Sequence, residues 1–110
     1  MNKFSEVPEI SRDDAYRAFS SGNAEEICGA LVAITFHDPD LQWVQDLCLG
    51  FLSNGDSRIS GLAATCLGHL ARIHRSIDKE KVLGALRQHL SDDEIAGRVE
   101  DAIDDIEMFS

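Results

Sequence analysis

The chain has 110 residues, one domain by length, with twenty acidic side chains against ten basic ones and a formal net charge of −10. That balance lacks the basic footprint a phosphate backbone requires, so free nucleic acid and anionic membrane surfaces are poor partners and a basic protein is a good one. No stretch approaches the roughly 20 apolar residues of a membrane span, and the opening MNKFSEVPEI has no apolar run of signal-peptide length.

Ser11 predicts the cap of a short first helix carrying Ala15, Tyr16 and Phe19, with Asp13 and Asp14 suited to its first turn. Ser21-Gly22-Asn23 breaks it. A second helix over about Ala24 to Phe36 is apolar around more than half its circumference (Ile27, Cys28, Leu31, Val32, Ile34, Phe36), which predicts burial on several sides. In HDPDL, Asp38 reads as the next cap and Pro39 as the first helical residue, where its missing N–H costs nothing. That third helix runs to about Leu52 and turns Leu41, Val44, Leu47, Cys48 and Phe51 inward. Ser53-Asn54-Gly55-Asp56 is a turn cluster.

The fourth helix, about Ser57 to His74, is the most telling. Ile59, Leu62, Ala63, Cys66, Leu67 and Leu70 make one apolar face, while Gly61, Ala64, Gly68 and Ala71 make the opposite side small. Neighbours can approach such a helix closely on both sides, as in the middle of a stack. Arg72, His74 and Arg75 gather at its end, where positive charge suits the helix dipole. Asp78 predicts the cap of a fifth helix reaching about Leu90, with Ile77 and Val82 as a hydrophobic staple. Ser91-Asp92-Asp93 predicts the start of a sixth, which buries Ile95, Val99, Ala102, Ile103 and Ile106. No strand alternation is present.

Ile59, Ala63, Leu67 and Leu70 recur 36 residues later as Ile95, Val99, Ile103 and Ile106, and Gly61 recurs as Gly97. A fixed period of tens of residues means stacked units. The expectation is all-α: six helices in three antiparallel hairpins, a single α-solenoid-like domain over 1–110. The segment from Leu52 to Leu70 resembles the HEAT-like repeat family, with Ile59, Ala63, Ala64, Leu67 and Gly68 in that family's aliphatic, Ala-Ala and Leu-Gly places. Ser60 stands where the family has an arginine. The resemblance implies a HEAT/ARM-like stack and no particular activity. The acidity, the size and the runs HDPDLQWVQDLCL, GLAATCLGHLARIH and GRVEDAIDDIEMF look like small bacterial HEAT-like proteins, some of which are immunity proteins of contact-dependent growth inhibition. Such proteins bind and neutralise a toxin domain, often a nuclease, in a 1:1 complex. An adaptor or scaffold for another basic protein is the alternative.

The candidate binding residues follow from charge. Asp92 to Glu107 holds eight acids and one base, Arg98. Glu94, Glu100, Asp101, Asp104, Asp105 and Glu107 sweep the exposed arc of the last helix, and the i, i+4 pairs Glu100–Asp104 and Asp101–Asp105 repel, a cost that mixed charges would avoid. They read either as a ridge that meets lysines and arginines or as a solvated face. Arg58, Thr65, His69 and Arg72 line the polar strip of the fourth helix, for recognition or for pairing within the chain. Trp43, at the rim of its helix near Asp40, Asp46 and His37, reads as an interface anchor or a core-edge ring. Cys28, Cys48 and Cys66 lack C-x-x-C spacing and predict buried free thiols in a reducing cytoplasm. His37, His69, His74 and His89 share no metal-ligand spacing, and no phosphate-cradling glycine loop or catalytic triad is visible. No enzyme, cofactor or metal is therefore expected.

Overall fold

Five helix starts decide where this chain bends, and each is fixed by a side-chain cap. In the computed structural model, which describes residues 7–109, the helices are α1 (Arg12–Phe19), α2 (Ala24–His37), α3 (Leu41–Phe51), α4 (Ser57–His74), α5 (Lys79–Arg87) and α6 (Ala96–Phe109). No strand occurs among the described residues. The first six residues, part of the predicted leader-free opening, lie outside them. Ser11, Asn23, Asp40, Asp56 and Asp78 accept the backbone N–H of Asp14, Glu26, Trp43, Arg58 and Lys81 at 2.9–3.3 Å. Each satisfies a donor that a helix start otherwise leaves orphaned.

Two of the predicted starts move. Asp38 ends α2 instead of opening α3. Its carboxylate accepts the N–H of Asp40 at 2.8 Å, a local turn across Pro39 that hands the capping role to the next acid. The sixth helix starts at Ala96, not at Ser91. The carboxylate of Asp92 accepts the N–H of Glu94 at 3.1 Å, and short-range backbone bonds carry the chain through turns from Arg87 to Ile95. Side-chain bonding to the local backbone competes here with helix. Asp92, Asp93 and Glu94 therefore sit on a connection, and the acidic surface of α6 begins at Glu100.

Contacts between helices rise in step along the chain. Cys28 and Phe36 of α2 meet Arg58 and His69 of α4. Gly61 of α4 faces Ile95 and Arg98, and Gly68 faces Ala102 and Asp105 of α6. Thus α2, α4 and α6 run parallel in one rank. Tyr16 and Phe19 of α1 meet Trp43 and Phe51 of α3, so these two are parallel as well, and Gln45 and Asp46 of α3 touch Asp78 and Lys81 at the start of α5. Arg12, at the start of α1, reaches Asp38 at the end of α2, so successive helices are antiparallel. Three hairpins are piled with α4 in the middle, packed on α2, α3 and α6. Three layers give extents of 31 × 28 × 28 Å, too few for an elongated superhelix.

The core follows the predicted faces. Leu31, Ile34, Val44, Leu52, Leu67, Leu70, Val82, Leu86, Val99 and Ile106 are almost fully buried, each contributing about 1.5–3 kcal/mol of transfer free energy. Ile77 and Val82 are both buried, as the staple requires. The small side of α4 lies against α6. A Cβ on Gly68 would stand 3.2 Å from the Ala102 Cα and 3.1 Å from an Asp105 carboxylate oxygen. Cys48 and Cys66 are buried free thiols in contact, and the hydrogen bond that Cys48 donates to Cys66, together with burial, pushes Cys48 up. Cys28 departs from expectation: it is only half-buried, and its thiol lies 3.6 Å from the Arg58 carbonyl oxygen.

Two glycines test the packing. Gly68→Val drives a branched side chain into the α6 backbone and should destabilise the fold by about 1–3 kcal/mol. Gly84→Ala, in an exposed turn of α5 where a Cβ meets nothing within 4 Å, should stabilise it by about 0.5–1 kcal/mol. Urea denaturation of the two variants reads both signs. The caps set the acid response. The Trp43 N–H and Arg12 hold Asp40 below the ordinary aspartate range, and Arg58 does the same for Asp56 by its side chain and its N–H. A depressed folded-state pKa gives stability that is present above the unfolded value of about 4 and is lost as pH falls through the folded one. Urea midpoints between neutral pH and pH ~2 should fall less steeply in an Asp40→Asn, Asp56→Asn variant, since asparagine still caps but does not titrate.

Candidate protein-binding surface

The predicted binding residues fall into two groups of contacts. The first is on α6. Val99, Ala102, Ile103 and Ile106 are buried against the neighbouring helices, which leaves Glu100, Asp101, Asp104 and Glu107 on the outward side. Their spacing of three, four and seven keeps them on one stripe. No ion pair reaches these four among the described residues. Met108, four residues after Asp104, continues the stripe as the most exposed large apolar side chain described, at 74%.

Asp105 differs from its neighbours. It is half-buried and turned toward α4, where Arg72 Nε lies 3.9 Å from its carboxylate. Arg72 and Arg75 also stand over the Phe109 ring, 5.5 and 5.6 Å from its centroid. The last turn of α6 contains no base of its own, so these two guanidinium groups supply the positive charge that its C-terminal dipole favours. Part of the basic strip of α4 is thereby used within the chain. His69, half-buried between helices, packs its ring 5.3 Å from that of Phe36. Burial, then the nearby Arg72, hold its pKa below the usual histidine range, with Asp105 opposing. Its imidazole is thus mainly neutral at pH 7 and adds little to a charged surface.

The second group joins α1 to α3. Trp43 is half-buried at the edge of its helix, and the Arg12 guanidinium lies 4.1 Å from its ring centroid. Arg12 donates to Asp38 and to Asp40, each at 3.2 Å, so two carboxylates fix the cation over the indole. Trp43 Nε1–H donates to the Tyr16 hydroxyl at 2.8 Å, and the two rings meet edge to face at 5.9 Å. Trp43, Tyr16 and Arg12 are the side chains that most often anchor interfaces, held here in a fixed geometry. Asp40 has two tasks, capping α3 and holding Arg12. Of the predicted neighbours of Trp43, Asp40 meets it through the cap and through Arg12, whereas His37 and Asp46 are engaged elsewhere. His37 Nε2–H donates to the Val7 carbonyl at 2.6 Å, while Asp46 accepts from Gln42 and pairs with Lys81.

The sequence reading missed Arg12 and Tyr16. Only the i, i+4 spacing of the two on α1 hinted at a shared face, and nothing local tied that face to residue 43. Among the described residues no group of three His, Cys, Asp or Glu side chains could hold a metal ion, and no helix is long and apolar enough to cross a membrane.

No protein-family model matches the chain, and no curated protein matches it. In overall structure it is similar to a chain in the crystal structure of a CDI complex from Cupriavidus taiwanensis LMG 19424, with 26% sequence identity and a TM-score of 0.86, over 99% of this chain and 98% of that one.

Proposed function

We propose that the chain is an immunity protein of contact-dependent growth inhibition, a binding protein that neutralises a cognate toxin domain in the cytoplasm. The observation that carries this reading is the likeness to a chain of a CDI complex over 99% of this chain and 98% of that one. The open carboxylates of α6 supply a mechanism. A nuclease toxin must hold phosphate with lysines and arginines. Glu100, Asp101, Asp104 and Glu107 occupy those cations in place of the nucleic acid and exclude it sterically. In a chain of net charge −10 they also accelerate encounter with a basic partner. The Arg12–Trp43–Tyr16 cluster, already ordered in the free protein, loses little entropy on docking and therefore acts on the off-rate. Asp105, Arg72 and His69 support the α6 surface from behind.

Co-expression with the adjacent reading frame should yield a 1:1 complex that co-purifies and suppresses the partner's nuclease activity. Replacing Glu100, Asp101, Asp104 and Glu107 with serine, leaving Asp105 on Arg72, should slow association by about tenfold or more at low salt. It should also flatten the dependence of the association rate on ionic strength. Stopped-flow mixing over a salt series reads both. Unchanged rates would remove the ridge from the interface; no complex with the wild-type chain would remove the immunity reading itself.

A further inference from the structure

A groove of ≈ 390 Å³ opens where the three helices of the inner rank begin, lined by Cys28, Ser57, Arg58, Leu62, Glu94 and Arg98. Its polar rim holds two guanidinium groups, Arg58 and Arg98, against one carboxylate, Glu94, a net positive balance in a chain that is otherwise strongly anionic. Arg98 is the single base between Asp92 and Glu107, and it lies flat across Gly61 of α4, where an added Cβ would come within 3.0 Å of its Cδ and 3.2 Å of its Nη1. Gly61 thus gives the guanidinium its seat. No carboxylate pairs with Arg98 among the described residues, although acids outnumber bases two to one in the chain. Arg58 is fixed beside it. Asp56 accepts from its Nε and Nη2 at 3.1 and 2.7 Å, which orients the group and leaves Nη1 outside that fork. Leu62 and the Cys28 thiol, kept protonated by burial and then by Asp56, give the groove a neutral wall for an aliphatic stem.

We infer that this groove receives an acidic side chain of the protein partner, whose carboxylate pairs with Arg98. The inference rests on the immunity reading and adds to it a contact of opposite sign. A free anion is a poor occupant, because the net charge repels it from solution. A carboxylate carried on a basic protein is delivered by the attraction of the ridge and then held at high effective concentration. Arg98 stands three residues before Asp101, about 60° round the helix from it, so the groove adjoins the Asp101 edge of the ridge and a partner seated on that edge reaches both. The ridge attracts basic partners in general. The groove accepts only one that places an acid at the correct position, and a basic partner without that acid leaves Arg98 desolvated and unpaired.

The test uses the full chain and the purified toxin domain encoded beside it, with dissociation followed by surface plasmon resonance. Arg98→Gln should raise the dissociation rate about tenfold or more while the salt dependence of association stays as in wild type. Arg98→Glu should weaken binding further, and one Asp or Glu to Arg change in the toxin domain should restore it. Urea midpoints close to wild type establish that both variants fold; if Arg98→Glu does not, Arg98→Gln decides. Wild-type dissociation rates in Arg98→Gln, with the ridge variant impaired, would overturn the groove and leave the immunity reading standing. Absence of any complex with the wild-type chain would overturn both.

Discussion

Gly61 and Gly68 stand seven residues apart, two turns, on the side of α4 that meets α6. Their missing side chains let the two helices approach until backbone meets side chain, and the rest of the molecule is arranged around that contact. With α6 at this distance, Ile95, Val99, Ala102 and Ile106 close the core from one side, while α2 and α3 close it from the other. The same closeness puts Arg72 and Arg75 beside the last turn of α6 and lays Arg98 along α4. Each of these electrostatic features is thus a result of packing, and a side chain at either glycine would disturb charge and core together.

Charge in this protein is divided between pairs made within the chain and groups left open to solvent. Arg12, Arg17, Arg58, Arg72 and Lys81 are engaged with carboxylates of their own chain. Such exposed pairs are individually weak, yet they determine which charges remain for another molecule. What remains on α6 is a run of carboxylates with Met108 at its end, the combination of long-range attraction and short-range apolar contact that a rapid, selective encounter uses.

Much of this order was legible in the residues. The faces of α4 could be read because a helix buried on two sides has to be apolar on one and small on the other. The recurrence of Ile59, Ala63, Leu67 and Leu70 at 95, 99, 103 and 106 pointed to stacked units, and α4 does pack along α6 at Gly61 and Gly68. Helix starts were legible where a single capping residue stood alone, at Ser11 and Asp78. They were displaced where two acids competed, at Asp38 against Asp40 and around Asp92, because an aspartate can turn the local chain as readily as it caps a helix. The ridge was legible because exposure follows helical period. The Arg12 cluster was not, since Arg12 and Trp43 are 31 residues apart and meet only when α1 stacks on α3. The groove was hidden for the same reason: its walls come from three separate helix starts.

The lone tryptophan adds a practical consequence. Trp43 shares its indole N–H with Tyr16 and its ring face with Arg12, both on α1, while its own backbone N–H belongs to the cap of α3. Its emission therefore gauges one joint in the molecule, that between the first and second hairpins. Peeling α1 away would free the indole to water and change its fluorescence while α4 and α6 remained locked. The protein thus contains a label-free optical probe of its N-terminal layer, set apart from the helix on which the α6 carboxylates stand.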